Sequence, residues 1–598
     1  MGSLFGILLV LAAFAAFRLV NVSRDLNDAA DLLTTARSNV ELGQLGQARA
    51  ELAEAQALLT RSNSGLYQNV ALDLVGAFPV ARENLRALRE TVGLALRLTD
   101  GANRILAVTR SLEATDGSLE VPLLGGMVPL PAVRDTQEAV QALAEGLPGP
   151  RYEPETAFLV GSVARAQDLV FAEAEGLRPR LDTVGRGLEL LGSLAGATGP
   201  QRFLIAVANT AEMRGAGGMI LSYGILEASN GVFTLGEFGG IDDLALEGEV
   251  DADFLTVPED YLARWDGLQP TRLWRNTTLH PDLAFNAPIM EVMFSVKTGL
   301  LLDGVIQIDP AGLAAILAGT GPVQVEGLGQ VDATNVVDLT LNRAYIDFPD
   351  RDQRQELLGD VAEATFDALV GGQFGSLRPF GEALFATAQE RHIAIFLNSF
   401  QAQRIASTFG ATADLPPPDA VDHAILTVQN FSKNKLDYYL DTSLSLVGTR
   451  RGGQLGSMVA TVTVTNTAPA DGAADYVFGP NAEGETAGLY RGVVSLYLPT
   501  GTTLVGSSGE SAGLAGITSE AGRTVVGFNV DVPAGQTRTV VLDLAMAPRP
   551  AGPYELTLVP VPRVRPTVVS VDVDTGNGAA VHRDPAPLPR LEVLREGQ

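Results

Sequence analysis

Two clusters in this chain hold residue types suited to gripping an anion. The first follows a short apolar run: Asn209, Glu212 and Arg214, then glycines at 215, 217 and 218. Glycines let a loop turn its backbone N–H groups toward an anion, and a guanidinium adds a planar fork that matches phosphate. These glycines precede an expected strand, so no helix dipole adds to the field. Their spacing fits neither a P-loop nor a dinucleotide fingerprint. A tight turn around a structural Arg–Glu pair explains the same residues equally well. The second cluster is Arg343-Ala344-Tyr345, Asp347, Asp350-Arg351-Asp352 and Arg354-Gln355. Arg351 and Arg354 stand three apart at a helix start and share a face, where two guanidiniums could clamp a pyrophosphate. The alternative is a first helical turn laced by its own ion pairs. The candidate anion or pyrophosphate ligands are therefore Arg214, Arg343, Arg351, Arg354 and Gln355, with Asn209, Glu212 and Asp350 in support.

Other chemistries find less to work with. No Ser-His-Asp arrangement, nucleophile elbow or zincin helix is present, so no catalytic residue can be named. Carboxylate pairs are too plentiful to single out in a chain of net charge −28. Cysteine is absent, which excludes disulfides, thiolate zinc sites, iron–sulfur clusters and a Cys nucleophile. His280, His392, His423 and His582 lie far apart, with no two at ligand spacing, so neither a metal nor a cofactor is expected. Duplex binding needs clustered Lys and Arg, and no such stripe occurs, so nucleic acid is not an expected partner. The acidity would also repel an anionic membrane surface. A solvated acidic surface is the simpler reading. Lysine occurs only at 297, 433 and 435, and with abundant Ala, Gly and Val this usage suggests a GC-rich genome.

The elements that must position these residues divide the chain in five. Residues 1–22 read as a transmembrane anchor: Leu4 to Phe17 is unbroken apolar sequence, Leu19 and Val20 extend it, and Arg18 can snorkel to the interface. An uncleaved signal anchor is expected over a cleaved signal peptide, because no polar stretch precedes Ala13-Phe14-Ala15. Residues 23–198 read as a helical stalk or bundle. Leu26, Ala29, Ala30, Leu33, Ala36 and Val40 form one stripe, and Leu45, Ala48, Leu52, Ala55 and Leu59 a second, which makes an αα-hairpin. Leu85, Leu88, Val92, Ala95, Ala102 and Leu106 form a third. Pro179 predicts a break or kink within 132–195. Residues 199–412 alternate strands and helices, the mark of an α/β domain, with a hairpin at Asn230-Gly231. After Pro416-Pro417-Pro418 the period switches to two, which predicts an antiparallel β-sandwich over 421–570. Residues 571–598 are rich in Gly, Pro and charge and read as a mobile tail.

Four stretches carry a resemblance: "FLIAVANTAEMRGAGG" from Phe203 to Gly218, "DGVIQIDP" from Asp303 to Pro310, "GTGPVQV" from Gly319 to Val325 and "NKLDYYL" from Asn434 to Leu440. Together they resemble the domain of unknown function 4012, a family common in actinobacteria. That resemblance implies a membrane-anchored surface protein with its bulk outside the cytoplasm. A more distant similarity is to the LytR-CpsA-Psr phosphotransferases, which move glycopolymers from a polyprenyl-pyrophosphate lipid to the cell wall. Their strand, loop, hairpin, acidic-Pro and helix order matches 202–325, and their late Arg-x-x-Arg-Gln matches Arg351, Arg354 and Gln355. Two departures matter. That family has a metal-holding Asp near Gly217 or Gly218, and an Arg after the third strand where this chain reads Gly236-Glu237-Phe238-Gly239-Gly240. Losing both removes much of the charge stabilisation that phosphoryl transfer needs.

The expected function is thus a single-pass, membrane-anchored protein of the bacterial envelope that binds or scaffolds in cell-surface glycan biogenesis. Its expected partners are the lipid bilayer, a lipid-linked or cell-wall glycan, and other envelope proteins. The alternatives are a phosphotransferase acting on polyprenyl-pyrophosphate glycopolymers, in which Arg214, Arg343, Arg351 and Arg354 converge on one cleft, and a purely structural envelope component.

Overall fold

A computed structural model describes residues 22–597 except 23, 41, 43, 69–71, 73–75, 77, 109–126, 148–158, 247–256, 373–376, 420, 452–453, 470–474, 482, 512, 549–552 and 576–579. The chain forms two compact units, residues 1–123 with 127–198, and residues 124–126 with 199–598.

The first unit is helical: α1 over 24–40, α2 Leu45–Tyr67, α3 Pro79–Val108, α4 Leu130–Glu145 and α5 Gly161–Leu194. The apolar stripes are its buried faces. Leu26, Ala29, Ala55, Leu59, Leu85, Leu88, Val92 and Ala95 share one core, while Ala36, Leu45, Ala48, Leu52 and Leu106 share another. Val40, at the end of its stripe, is exposed. Pro179 does not break α5, which runs on to Leu194. A proline removes one backbone donor, and the bonds on either side can carry the helix past it.

Among the described residues no helix is long and apolar enough to cross a membrane. This corrects the expected transmembrane anchor: α3 and α5 are long enough, at 30 and 34 residues, but carry charged faces. The apolar stretch from Leu4 to Val20 lies outside the described residues. Val22, placed by the sequence reading at the end of the anchor, is buried against Leu26 and Leu59 in the helical core.

The second unit holds its described strands in four sheets, none closed into a barrel among the described residues; the smallest pairs β5 (Val323–Val325) with β6 (Gly329–Val331). The first sheet has the order β3-β2-β1-β4-β7, with β1 Gln201–Asn209, β2 Met219–Ser229, β3 Val232–Gly240, β4 Gly304–Ile308 and β7 Ile393–Leu397. It is mixed: only β1 and β4 run parallel. Asn230 and Gly231 both have positive φ, 51° and 87°, as the two-residue hairpin requires. Alternate residues of β1 feed opposite faces. Leu204 and Ala206 share a core with α6 (Glu259–Trp265) and α7 (Leu283–Thr298) through Trp265, Ala287 and Met290, and Ile205 packs toward α8 (Pro310–Thr320) and α9 (Arg351–Val370) through Leu313 and Val361.

The remaining large sheets face each other around one apolar core. Their orders are β12 (Thr503–Gly509), β15 (Thr537–Ala545), β10 (Gln454–Asn466), β9 (Leu440–Arg451), β17 (Val568–Asp574), β18 (Ala580–Pro587), and β13 (Leu514–Glu520), β14 (Arg523–Pro533), β11 (Leu489–Leu498), β8 (Asp422–Asn430), β16 (Glu555–Val559), β19 (Glu592–Arg595). The sandwich is not purely antiparallel, because β16 (Glu555–Val559) runs parallel to β8 (Asp422–Asn430) and β17 (Val568–Asp574) parallel to β9 (Leu440–Arg451). Nor do the described residues of 571–597 form a tail. Strands β18 (Ala580–Pro587) and β19 (Glu592–Arg595) pair within the two sheets, and Val571, Val573 and Val581 lie in the core. Charge on the outward positions of a half-buried strand gives such a segment a polar composition.

Candidate functional site

The loop leaving β1 is built to stay closed. Asn209 Oδ1 accepts the Ala211 N–H, and Asn209 Nδ2 donates to the Tyr345 hydroxyl at 3.0 Å. A Cβ at Gly215 would fall 2.0 Å from the Leu279 carbonyl oxygen, and one at Gly218 (φ +151°) 2.4 Å from the Asn209 carbonyl oxygen. The Ala216 N–H bonds to the Thr278 carbonyl and the Gly217 N–H to the Arg214 carbonyl. The glycines therefore serve close packing, and these loop N–H groups face protein rather than a ligand. Arg214 faces elsewhere. It is buried, with Nε donating to Asn276 Oδ1 at 3.1 Å and Nη1 to the carbonyls of Met213 and Asn430 at 2.9 and 2.8 Å. Burial lowers its pKa to about 10, so it remains a cation at neutral pH.

Arg214 lines an open cleft of about 730 Å³. One wall comes from the first sheet and the segments after it: Glu212, Met219, Leu221, Ser222, Ile241, Asp242, Leu268, Arg275 and Asn276. A second comes from Tyr345 and the first turns of α9, with Arg351, Arg354, Gln355 and Leu358. The sandwich supplies the third, through Asn430, Phe431, Lys433, Tyr476 and Asn481. Asp350 caps α9, its Oδ1 accepting the Gln353 N–H at 2.9 Å, and so fixes the turn that presents the arginines. Arg354 is buried; its Nη1 bonds the Phe348 carbonyl at 2.8 Å, and its guanidinium lies 4.9 and 4.5 Å from the centroids of Tyr345 and Tyr476. These two rings stack at 5.3 Å. Arg351 is exposed and reaches away from its helix to Asp242 Oδ2 at 2.5 Å, while Arg275 bonds Asp242 Oδ1 at 2.6 Å.

Of the residues singled out from sequence, Arg214, Arg351, Arg354, Gln355 and Glu212 line this one cleft. Arg343 does not. It is exposed and pairs with Asp347 at 3.6 Å on its own helical turn. Asn209 and Asp350 stand behind the cleft, shaping the loop and capping the helix. Pattern reasoning missed Asp242, Arg275 and the whole sandwich wall. One signal was available for that wall: two of the three lysines, Lys433 and Lys435, fall within three residues.

Lys435 explains the motif around it. Its Nζ sits 2.6 Å from Glu212 Oε2 and 4.1 Å from the Tyr345 centroid, with no exposed surface. Burial disfavours the ammonium, but Glu212 and Tyr345 outweigh it and hold the pKa above the ordinary lysine value. Asp437 Oδ2 accepts the Met213 N–H at 3.0 Å and Asn430 Nδ2 at 2.7 Å; burial pushes its pKa up to about 6. Tyr438 donates to Asp338, and Tyr439 to Asn342. The stretch from Asn434 to Leu440 thus clamps onto the stretch from Asn209 to Gly218, more than two hundred residues earlier.

Five cations (Arg214, Arg275, Arg351, Arg354, Lys433) and two carboxylates (Glu212, Asp242) face the cleft, in a chain of net charge −28. Both carboxylates are already engaged, Glu212 by Lys435 and Asp242 by two guanidiniums. The cleft can therefore donate several charge-assisted hydrogen bonds to a multiply charged anion, over a floor made apolar by Met219, Leu221, Ile241 and Leu358. No curated protein matches the chain. Residues 198–345, which hold β1 through Tyr345 and so one wall of the cleft, match the model of the family described as protein of unknown function (DUF4012), and this segment belongs to that family.

Proposed function

We propose that the protein binds a ligand bearing a phosphate or pyrophosphate group in this cleft, as a recognition protein rather than a transferase. One observation carries the reading: among the described residues, five cations converge on a single 730 Å³ cleft whose two carboxylates are already paired. A phosphoryl-transfer site needs a group free to take a proton or position a nucleophile. Here Glu212 is engaged by Lys435, and Asp242 by Arg275 and Arg351.

The test is calorimetric titration of the full-length chain with inorganic pyrophosphate. Arg275 and Arg351 are both exposed, so Arg275→Ala/Arg351→Ala should leave stability within about 1 kcal/mol. It should weaken pyrophosphate at least about tenfold, since each charge-assisted bond is worth about 1.5–3 kcal/mol. Absence of binding by the unaltered chain would remove the proposal. Turnover of a polyprenyl-pyrophosphate glycan by the purified protein would replace it with the transferase reading.

A further inference from the structure

We infer that the sandwich wall of the cleft is a sugar subsite, so that the ligand is a glycosyl phosphate rather than a bare anion. The inference rests on the anion-binding reading above and adds to it the part of the ligand that carries identity. None of the five sandwich residues in the lining lies within 198–345. Two are aromatic, and both keep substantial exposed surface: Tyr476 at 36 % and Phe431 at 39 %. A pyranose ring presents an apolar C–H face that packs on such a ring, while its hydroxyls reach for amides at the edge.

The surroundings fit that division. Tyr476 is held rigidly, stacked on the buried Tyr345 with 12° between ring planes. Asn481 Nδ2 donates to the backbone carbonyls of Lys433 and Tyr476, both at 2.8 Å, and so ties the two sandwich loops together. With its amide nitrogen committed, Asn481 can offer its side-chain carbonyl to a hydroxyl. Lys433 has φ of +49°, a conformation uncommon for a side chain of its size. The Arg354 guanidinium is 4.5 Å from the Tyr476 centroid, so an anion held by Arg354 has its substituent beside that ring. A glycosyl phosphate has this form, an anionic group bonded directly to an amphipathic ring. A lipid tail asks instead for unbroken apolar lining, and this wall interrupts its aromatics with Asn430, Lys433 and Asn481.

The test titrates the full-length chain with methyl phosphate, glucose 1-phosphate and N-acetylglucosamine 1-phosphate. At least one sugar phosphate should bind about fivefold to tenfold more tightly than methyl phosphate, the worth of one aromatic contact. Phe431→Ala should abolish that advantage while leaving methyl phosphate within about twofold, and Tyr476→Leu should abolish it as well. Phe431 is exposed, so its variant reports on the subsite even if Tyr476→Leu disturbs the stack. Equal affinity for all three ligands, or variants that weaken them equally, would overturn the sugar subsite and leave the anion site standing. If neither methyl phosphate nor pyrophosphate binds, the anion-binding reading itself has failed.

Discussion

Replacing Lys435 by Met should be among the most damaging single changes in the chain. The ammonium has no exposed surface and lies 2.6 Å from Glu212, whose side chain is only 9 % exposed. Methionine fills similar volume but leaves the carboxylate without its cation. Breaking a buried pair in this way costs about 3–5 kcal/mol, because the remaining charge keeps its desolvation penalty and loses its compensation. Urea unfolding followed by tryptophan fluorescence reads the correct unit, since both tryptophans, Trp265 and Trp274, lie within residues 199–598. The double variant Lys435→Met/Glu212→Gln should recover at least half the loss. A deficit under about 1 kcal/mol, or a double variant no better than the single, would refute the argument.

Other consequences are equally direct. Asp242→Asn frees Arg275 and Arg351 from their shared carboxylate, so pyrophosphate affinity should rise about threefold to tenfold in calorimetry, with little change in melting temperature. Gly215→Ala and Gly218→Ala each push a Cβ into a backbone carbonyl and should destabilise by about 3 kcal/mol or more in the same fluorescence assay. Burial raises the Glu520 carboxyl to about 7, against the pull of Arg264, Tyr497 and Trp265. Stability should thus fall by about 1–3 kcal/mol as pH rises from about 4.5 to 8, and Glu520→Gln should flatten that slope. His392 lies 2.6 Å from Asp309; burial disfavours its charged form, but the carboxylate outweighs burial and raises its pKa. That pair stabilises fully below about pH 6.5, the unfolded value, and its contribution is lost as pH climbs through the folded one. His392→Gln should therefore cost stability at pH 6 and much less at pH 9, as melting curves would show.

How much of this was legible depends on how far apart the interacting residues lie. Local signals read well. Asn230-Gly231 named its hairpin, Asp309-Pro310 its helix start, and the apolar stripes of the first 110 residues their buried faces. Arg351 and Arg354 were separable from Arg343 only by tertiary placement. All three precede or open helical turns, yet Asp347 captures Arg343 on its own turn. The sandwich wall was not legible, because Phe431, Lys433, Tyr476 and Asn481 carry no motif and meet the arginines only through folding. The glycines at 215–218 misled in a specific way. Their types suit an anion nest, but the contacts they permit are with Leu279, Pro562 and Asn209. The final strands were overlooked because charge and proline dominate the composition there, while the alternation of Val569, Val571 and Val573 carries the burial.

The two parallel seams of the sandwich impose an order on biosynthesis. Strand β8 ends at Asn430, beside the cleft, yet its partner β16 is complete only at Val559, and β9 waits for β17 until Asp574. At ribosomal rates of about 5–20 residues per second, roughly ten seconds pass during which β8 has translated but lacks one neighbour. Its nine residues are all buried in the finished molecule, so the nascent chain carries a strand whose buried polar groups and one row of backbone groups are unclaimed. Such an edge is a substrate for holdase chaperones and a seed for misassembly between neighbouring nascent chains. A cleft that borrows a wall from the end of this strand can close only after Val559 has been made.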